Sequence, residues 1–471
     1  FCYPNNMANQ LPGPCNYLWG DMSKFEVRKF GILAFMFFNL IGSYWLMRPL
    51  KDGVFYTVVG LEYLPTAKML SFIVIIPMIL GYSKLVDMYP RHIIIYIICS
   101  AYAVLFTIVS FCLTLPEIGL QNTNSDPSRL LGWITFFGIE SFGSICVALF
   151  WSFVTSSTSS VSAKKGYPLI ITGGQIGSII GPSLATMSEY LSIPSLFMIA
   201  VTEICCVLAL TKYYMSSIGQ EEVDETSSKK KTPGILVGLK LLTTQKYLMG
   251  IFGISTIYEV VGTIMDYQMK MLAKEQYPST EAYTAFLASF GVAVNSLSFC
   301  IALLGTSYLL RKLGLRLCLL IFPTAVGLVL LGVFMVPVLS IVFFAQVCLK
   351  GLSYAINNPS KEMLYIPTGP DVKFKVKSWI DMFGGRSAKA LGAFTVDHLK
   401  ESIDTLLHVG TLVAFVWVGV WFFTALFVGR TWHTLTLENE AKAKNTDLEN
   451  SELEIKTVSI DEMDSEESRQ Q

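Results

Sequence analysis

Apolar segments of roughly 20 residues recur along the whole of this 471-residue chain. About 20 consecutive apolar residues are what an α-helix needs to cross a bilayer. Six such spans lie in the first half of the chain, at 30–47, 67–86, 92–115, 131–155, 167–187 and 193–214. Six more lie in the second half, at 247–267, 282–310, 315–336, 337–357, 379–396 and 405–429. We therefore predict an all-α membrane protein with twelve transmembrane helices.

The composition and the polar segments agree with this interpretation. Hydrophobic residues make up 52% of the chain and charged residues 15%, against about 25% charged residues in an average soluble domain. The predicted domains are a cytoplasmic N-terminal arm (1–29), a first six-helix bundle (30–214), a cytoplasmic linker (215–245), a second six-helix bundle (246–430) and a disordered acidic cytoplasmic tail (431–471). A block of carboxylates at 221–225 and three lysines at 229–231 mark the linker.

The distribution of Lys and Arg predicts the orientation. Most of these residues outside the spans fall on the side shared by the two termini and the linker, which predicts that both termini are cytoplasmic. No signal peptide or transit peptide is visible, and this favours the plasma membrane. The ten cysteines show no CxxC spacing and no pairing with histidine, so neither a metal nor a cofactor is expected.

Two pairs of similar segments relate the halves of the chain. The short basic segments at 83–95 and 307–319 occupy equivalent positions and resemble the basic loop of the major facilitator superfamily. GGQIGSIIG at 173–181 in span five corresponds to GGRSAKALG at 384–392 in span eleven. Glycines at this density allow helices to approach closely. Two pseudo-symmetric bundles of six helices enclose a site near the middle of the membrane in this class of fold.

An unusual density of cations lies between residues 361 and 393, where six Lys or Arg side chains enter a segment that is otherwise apolar. A cation at the bilayer centre costs about 3 kcal/mol or more, so Arg386 and Lys389 should face a protein interior or a wet cavity. A polyanion is the natural ligand of such a cavity. The predicted phosphate-binding residues are Arg48, Lys51, Lys377, Arg386 and Lys389. Structural roles remain open: Lys51 at a helix end, Lys377 in a loop, and ion pairs of the last two with Asp381 or Asp397.

Two carboxylates, Glu140 and Glu259, lie deep in spans four and seven. An unpaired carboxylate is unfavourable there, so each either pairs with one of the cations or takes up a proton. Substrate exchange and coupling to a proton gradient therefore both remain open. Glu203 and Asp266 are further carboxylates inside spans, and a structural role is favoured for them.

Longer strings resemble one family. RPLKDGVF at 48–55, FWSFVTSSTSSVSAKKGYPLIITGGQIGS at 150–178, KEQYPSTEAYTAFL at 274–287, and KEMLYIP with KVKSWID between 361 and 381 are similar to the nucleotide transporters, or ATP/ADP translocases, of plastids and obligate intracellular parasites. The resemblance implies a major-facilitator-like fold and nucleotide transport by alternating access, here in a parasite member. It also implies functional roles for Lys51, Glu140, Glu259 and Lys377. Trp379 departs from the family pattern, which has a small residue at that position.

The sequence thus predicts a carrier that imports ATP, most simply in exchange for ADP. A proton-coupled carrier of nucleotides or of other organic phosphates is the alternative, and a polytopic membrane-embedded transferase is a weaker one. None of the four histidines shows catalytic or metal-binding spacing, and no GxxxxGK[ST] string is present, so ATP should be cargo that is not hydrolysed. We expect purine nucleotides and the lipid bilayer as partners, no nucleic acid, and a monomer. The aromatic residues at a suitable depth to stack on the base are Tyr44, Trp45, Tyr167 and Tyr258.

Overall fold

The computed structural model describes residues 23–158, 160–219, 235–304, 306–368, 372 and 376–470. It is built from twelve principal helices. The first six are α1 (Lys24–Val58), α2 (Leu64–Met88), α3 (Arg91–Thr114), α4 (Leu130–Ser156), α5 (Ser160–Ala185) and α6 (Ile193–Ser217). The second six are α7 (Lys246–Gln276), α8 (Thr280–Leu304), α9 (Thr306–Met335), α10 (Leu339–Leu352), α11 (Gly385–Asp397) and α12 (Ile403–Gln470).

Eleven helices in the described part of the chain are long and apolar enough to cross a membrane. The remaining one is α11, which is short and carries Arg386 and Lys389. Helical turns at Lys377–Trp379 and Ile380–Gly384 lengthen it at its start. The prediction of an all-helical fold with twelve membrane helices is confirmed. The helix that is not long and apolar enough by itself is α11, which corresponds to the cation-rich predicted span.

The ends of the bundle are defined here by the chain. Because twelve crossings are an even number, α1 begins and α12 ends on the same side, which we call the terminal end. The opposite side, where α1 ends and α8 begins, is the distal end. The helix α10 runs from the distal end toward the terminal end and continues through Ser353–Asn357 and Asn358–Met363.

The two glycine segments recognised in the sequence have equivalent roles in the two halves. A Cβ atom on Gly177 would lie 2.4 Å from the carbonyl oxygen of Phe38, so α5 packs directly on the backbone of α1. In the second half, a Cβ atom on Gly392 would lie 3.0 Å from the carbonyl oxygen of Val260, so α11 packs on α7 in the same way. Small residues permit this close approach of membrane helices.

Each half has its own hydrophobic core. The first core is built mainly from residues between 30 and 214, and the second from residues between 242 and 428. The halves meet where α8 packs on α1 and α5, and where α11 packs on α2. The space between these contacts is where a site shared by both halves can lie.

Three segments differ from the sequence-based expectation. The first helix begins at Lys24, before the predicted residue 30, because Ser23 and Glu26 form a capping box. The predicted linker contains a short helix at Ile235–Thr244, and residues 220–234 lie outside the described residues. The tail, predicted to be disordered, is helical through Gln470. No Gly or Pro follows Gly429, and the tail is rich in Glu, which favours helix.

Candidate functional site

A polar cavity lies between the two halves of the bundle. Its walls come from α1, α2 and α4 of the first half and from α7, α8, α10 and α11 of the second. Its volume is about 200 Å³. Ligand pockets for small molecules usually begin at about 300 Å³, so the helices must separate before a large ligand can enter.

Charged side chains dominate the lining of this cavity. Among the described residues, seven of them are cations: Arg48, Lys51, Lys68, Lys270, Lys350, Lys361 and Lys389. Four of the described residues are carboxylates: Asp52, Glu140, Glu259 and Asp266. The described part of the lining therefore has an excess of three positive charges, which is the electrostatic character of an anion-binding site.

Among the cavity cations of the first half, Lys51 is the most deeply buried, with 6% of its surface exposed. Its Nζ atom donates a hydrogen bond to Oε1 of Glu140 and lies 3.8 Å from Oδ1 of Asp52. The ring of Phe136 lies beneath it at 4.5 Å. Pro49 has no N–H to donate, so the helix is weakened beside Lys51.

Asp266 on α7 collects lysines from three helices. Its Oδ2 atom lies 2.8 Å from Nζ of Lys68 on α2 and 3.0 Å from Nζ of Lys270 on α7. Its Oδ1 atom lies 3.4 Å from Nζ of Lys350 on α10. Lys270 also pairs with Asp52 on α1, at 2.8 Å. Two of these ion pairs, Asp52 with Lys270 and Lys68 with Asp266, join the first half to the second.

The distal end is closed next to these ion pairs. The hydroxyl groups of Thr57 on α1 and Thr280 on α8 lie 2.5 Å apart, and the rings of Tyr56 and Tyr283 stand 4.8 Å apart between their centroids. We call these four residues the distal gate. Because each contact joins one half to the other, the two halves touch directly at the gate.

The remaining charges lie closer to the middle of the cavity. Lys389 on α11 lies 3.7 Å from Glu259 on α7. The guanidinium of Arg48 stacks over the indole of Trp45, with 4.7 Å between its Cζ atom and the ring centroid. Within the described residues, Arg48 has no carboxylate oxygen within 4.0 Å, so its charge is available to a ligand.

The part of the cavity toward the terminal end is aromatic and amide-rich. Its lining includes Trp45 from the first half and Tyr258, Tyr354, Asn357 and Asn358 from the second. Of the four aromatic residues that the sequence places at a suitable depth, Trp45 and Tyr258 line the cavity, whereas Tyr44 and Tyr167 are not part of its wall. Aromatic rings and amides are the groups that stack on and pair with a nucleobase.

The structure brings together most, but not all, of the residues predicted from sequence. Arg48, Lys51, Lys389, Glu140 and Glu259 line the cavity. The side chain of Asp381 lies outside the described residues.

Two predicted cations stand apart from the lining. Arg386 is not among the lining residues and donates to Oγ of Ser144 at 2.7 Å, one turn from Glu140. Lys377 pairs with Glu362 at 2.5 Å toward the terminal end. A phosphate contact by Lys377 would require its segment to move toward the cavity.

Sequence reasoning missed the cluster around Asp266. Lys68, Lys270 and Lys350 were not singled out, and Asp266 was assigned a structural role. A signal for them exists, because Lys350 is a single cation inside an apolar span and Asp266 and Lys270 are separated by one helical turn. Glu203 is distant from this cluster and faces Gly42 of α1, where a Cβ atom would lie 3.4 Å from its Oε1 atom.

Two six-helix halves around a central cationic cavity define a secondary transporter for an anionic substrate. Solved structures of transporters share the fold. A transporter of the POT family in complex with a thioalcohol-conjugated peptide aligns with a TM-score of 0.58 at 13% identity, over 85% of this chain and 96% of that one. A mutant of the nucleoside transporter NupG aligns with a TM-score of 0.56 at 14% identity, over 86% of this chain and 100% of that one. At this level of identity the likeness concerns the fold alone.

The family follows from the sequence profile of the TLC ATP/ADP transporters, which matches residues 7–126, 132–348 and 324–432. The chain belongs to this family. It is 24% identical to ADP,ATP carrier protein 1 of Rickettsia prowazekii, in an alignment that covers 90% of this chain and 97% of that protein. It is also 24% identical to ADP,ATP carrier protein 2, chloroplastic, of Arabidopsis thaliana, over 88% of this chain and 76% of that one. The predicted resemblance is confirmed.

Proposed function

We propose that this protein carries ATP across a membrane in exchange for ADP, by alternating access to the central cavity. The observation that carries the proposal is the excess of three positive charges in a cavity shared by the two halves. The triphosphate of ATP carries about four negative charges at neutral pH, and the diphosphate of ADP about one fewer. Either nucleotide largely offsets the net positive charge that the described residues give to the lining.

The two parts of the cavity suit the two parts of a nucleotide. Toward the distal end, Lys51, Lys68, Lys270 and Lys350 offer ammonium groups to the phosphate chain. Toward the terminal end, the aromatic and amide part offers stacking and hydrogen bonds to the base. Stacking on an aromatic side chain contributes about 1–3 kcal/mol per base, and an asparagine amide matches the edge of adenine with one donor and one acceptor.

The first prediction concerns transport itself. Purified protein in liposomes is expected to take up labelled ATP rapidly when ADP is present inside, and slowly when the liposomes are empty. The rate of uptake with and without internal ADP measures this directly. A proton-coupled carrier would instead take up ATP into empty liposomes in response to an imposed pH gradient. This outcome would contradict ATP/ADP exchange and support proton coupling. Release of inorganic phosphate during uptake would contradict the role of ATP as cargo.

The second prediction concerns the substrate. Competition with labelled ATP should be strong for purine nucleotides with two or three phosphates, weaker for AMP and nearly absent for adenosine. Each phosphate removed leaves more of the cavity lysines without a partner, and a charge-assisted hydrogen bond is worth about 1.5–3 kcal/mol. Inhibition constants for the series ATP, ADP, AMP and adenosine give the measurement. Equal competition by adenosine and ATP, or by a phosphorylated sugar and ATP, would exclude this assignment of the site.

In this proposal the protein is a monomer in the plasma membrane. The bias of Lys and Arg toward one side supports an orientation with both termini in the cytoplasm. A cysteine introduced at Ser228, which lies outside the described residues, should then be protected from an impermeant reagent in intact cells and react after permeabilisation. Reaction in intact cells would reverse the orientation.

A further inference from the structure

Asp52 and Asp266 form ion pairs with three cavity lysines, Lys68, Lys270 and Lys350. Among the described residues, these lysines have no other carboxylate partner. Building on the proposed exchange of ATP and ADP, we propose that these two carboxylates occupy, in the empty carrier, the place of the nucleotide phosphates. Binding of a nucleotide then takes the lysines away from the carboxylates and releases the ion pairs that hold the two halves together at the distal end.

The geometry of the cluster carries the first step. Lys270 on α7 bridges Asp52 on α1, at 2.8 Å, and Asp266 on its own helix, at 3.0 Å. Lys68 on α2 reaches Asp266 across the interface at 2.8 Å. The side chains of the two inter-half pairs are between 5% and 19% exposed. Separating such buried charges without a replacement partner is strongly unfavourable, so the empty carrier stays closed at this end.

The charge balance of the cluster explains why a phosphate chain can act as the replacement. With Lys51 and its partner Glu140 included, four ammonium groups face three carboxylates, so the cluster keeps an excess of one positive charge. One oxygen of Asp52, Oδ1, accepts no hydrogen bond within the described part of the chain, although Lys51 stands 3.8 Å from it. An ammonium group has three donors, and a polyphosphate offers several anionic oxygens along one chain. Such a chain can bind lysines of both halves at once, whereas each carboxylate is fixed to its own helix.

Release of the ion pairs by a nucleotide gives a physical reason why ATP would be exchanged for ADP. After releasing ATP, the carrier has to reopen its distal end to accept the next molecule, and this step would break both inter-half ion pairs. A nucleotide entering from the terminal end supplies the lysines with phosphate oxygens and lowers that barrier. Asp52 and Asp266 are therefore positioning residues that make the return step depend on a nucleotide.

The inference predicts that Asp266→Asn loosens the requirement for a counter-substrate. Uptake of ATP into liposomes without internal nucleotide should rise about tenfold relative to the unmodified protein, while the half-saturating ATP concentration falls because fewer carboxylates compete for the lysines. Asp52→Asn should act in the same direction and more weakly, since it removes one inter-half pair and leaves the cluster around Asp266 in place. Glu117→Gln is the matched control, because Glu117 is an exposed carboxylate in the distal loop before α4.

Cross-linking of the distal gate tests the same step without measuring transport. In a chain whose native cysteines are replaced, Thr57→Cys with Thr280→Cys places two thiols where the hydroxyl groups now lie 2.5 Å apart. ATP should lower the yield of the cross-link in this background. Asp266→Asn should lower it without ATP.

The outcomes separate this inference from the proposed function. An unmodified protein that takes up no ATP against internal ADP contradicts the proposed function itself. Normal exchange combined with unchanged dependence on internal ADP in both Asp variants would overturn only the inference. Where an Asp variant does not reach the membrane, the cross-link in the otherwise unmodified chain decides, since a yield unaffected by ATP contradicts release of the ion pairs.

Discussion

Replacing Lys51 with alanine is expected to abolish the exchange of ATP for ADP. Lys51 is buried, ion-paired with Glu140, and placed where the phosphate chain of the substrate would lie. Loss of one charge-assisted contact worth about 1.5–3 kcal/mol should weaken ATP binding by about ten- to a hundredfold. Transport should fall further than binding, because closing the cavity around the nucleotide also needs this contact.

A second variant distinguishes loss of function from loss of stability. In Lys51→Ala the carboxylate of Glu140 is left without its partner, and breaking a buried ion pair is destabilising, here by at most about 3 kcal/mol because a third of the Glu140 side chain is exposed. Lys51→Ala combined with Glu140→Ala removes both charges. We expect the double variant to recover much of the thermal stability in detergent and none of the transport.

The measurements are the unfolding temperature and the rate of exchange in liposomes, compared at equal protein content. Lys51→Arg retains the charge and should restore only part of the rate, since a planar guanidinium does not reproduce the compact ammonium group beside Glu140. Full exchange by the double variant would show that Lys51 serves the fold and not the substrate.

The sequence predicts Lys51 and Glu140 for different reasons. Lys51 lies beyond the predicted end of span one at residue 47, and it was predicted because a polyanion needs matching cations and because of the family resemblance. Glu140 lies inside span four, where a charged residue is expensive in a bilayer. The same reasoning applies to Lys350, which has a similar setting, and it could have been found in this way. Hydropathy gives the depth of a residue in the membrane. An opposite charge at the same depth on another helix then indicates a candidate ion-pair partner.

What the sequence does not contain is the direction in which each side chain points. Arg386 and Lys389 are three residues apart on α11, and both were predicted to bind phosphate. Lys389 lines the cavity, whereas Arg386 turns toward Ser144 on α4. The ion pairs of Asp266 with Lys68 and Lys350 join helices that are far apart in the chain, so no local sequence pattern predicts these pairs.

The close packing of helices within each half was predictable, because it is encoded in the glycine content of two segments. Glycine repeated at 173–181 and 384–392 signals close helix contacts, and the structure places the first segment on α1 and the second on α7. The repeat does not reveal which helix the glycines contact. That partner is fixed by the packing of the whole bundle, and it matters because α1 carries Arg48 and Lys51.

Gly177→Ala is therefore expected to damage both stability and transport. The added Cβ atom would lie 2.4 Å from the carbonyl oxygen of Phe38 and 3.1 Å from the backbone nitrogen of Gly42. Backbone atoms cannot turn aside as a flexible side chain can, so α5 and α1 must move apart. Overpacking of this kind costs about 1–3 kcal/mol, and the displacement carries Lys51 away from Glu140.

Gly385→Ala is the matched control for this change. It makes the same substitution near the start of the second glycine segment, where no atom lies within 4 Å of the added Cβ. Alanine has the higher helix propensity by about 1 kcal/mol, so this variant should be at least as stable as the unmodified protein and should exchange nucleotides normally. The unfolding temperature and the exchange rate of the two variants are compared side by side. Equal stability of both, with normal exchange by Gly177→Ala, would mean that α1 and α5 do not depend on this contact, and that the position of Lys51 in the cavity is set by another part of the bundle.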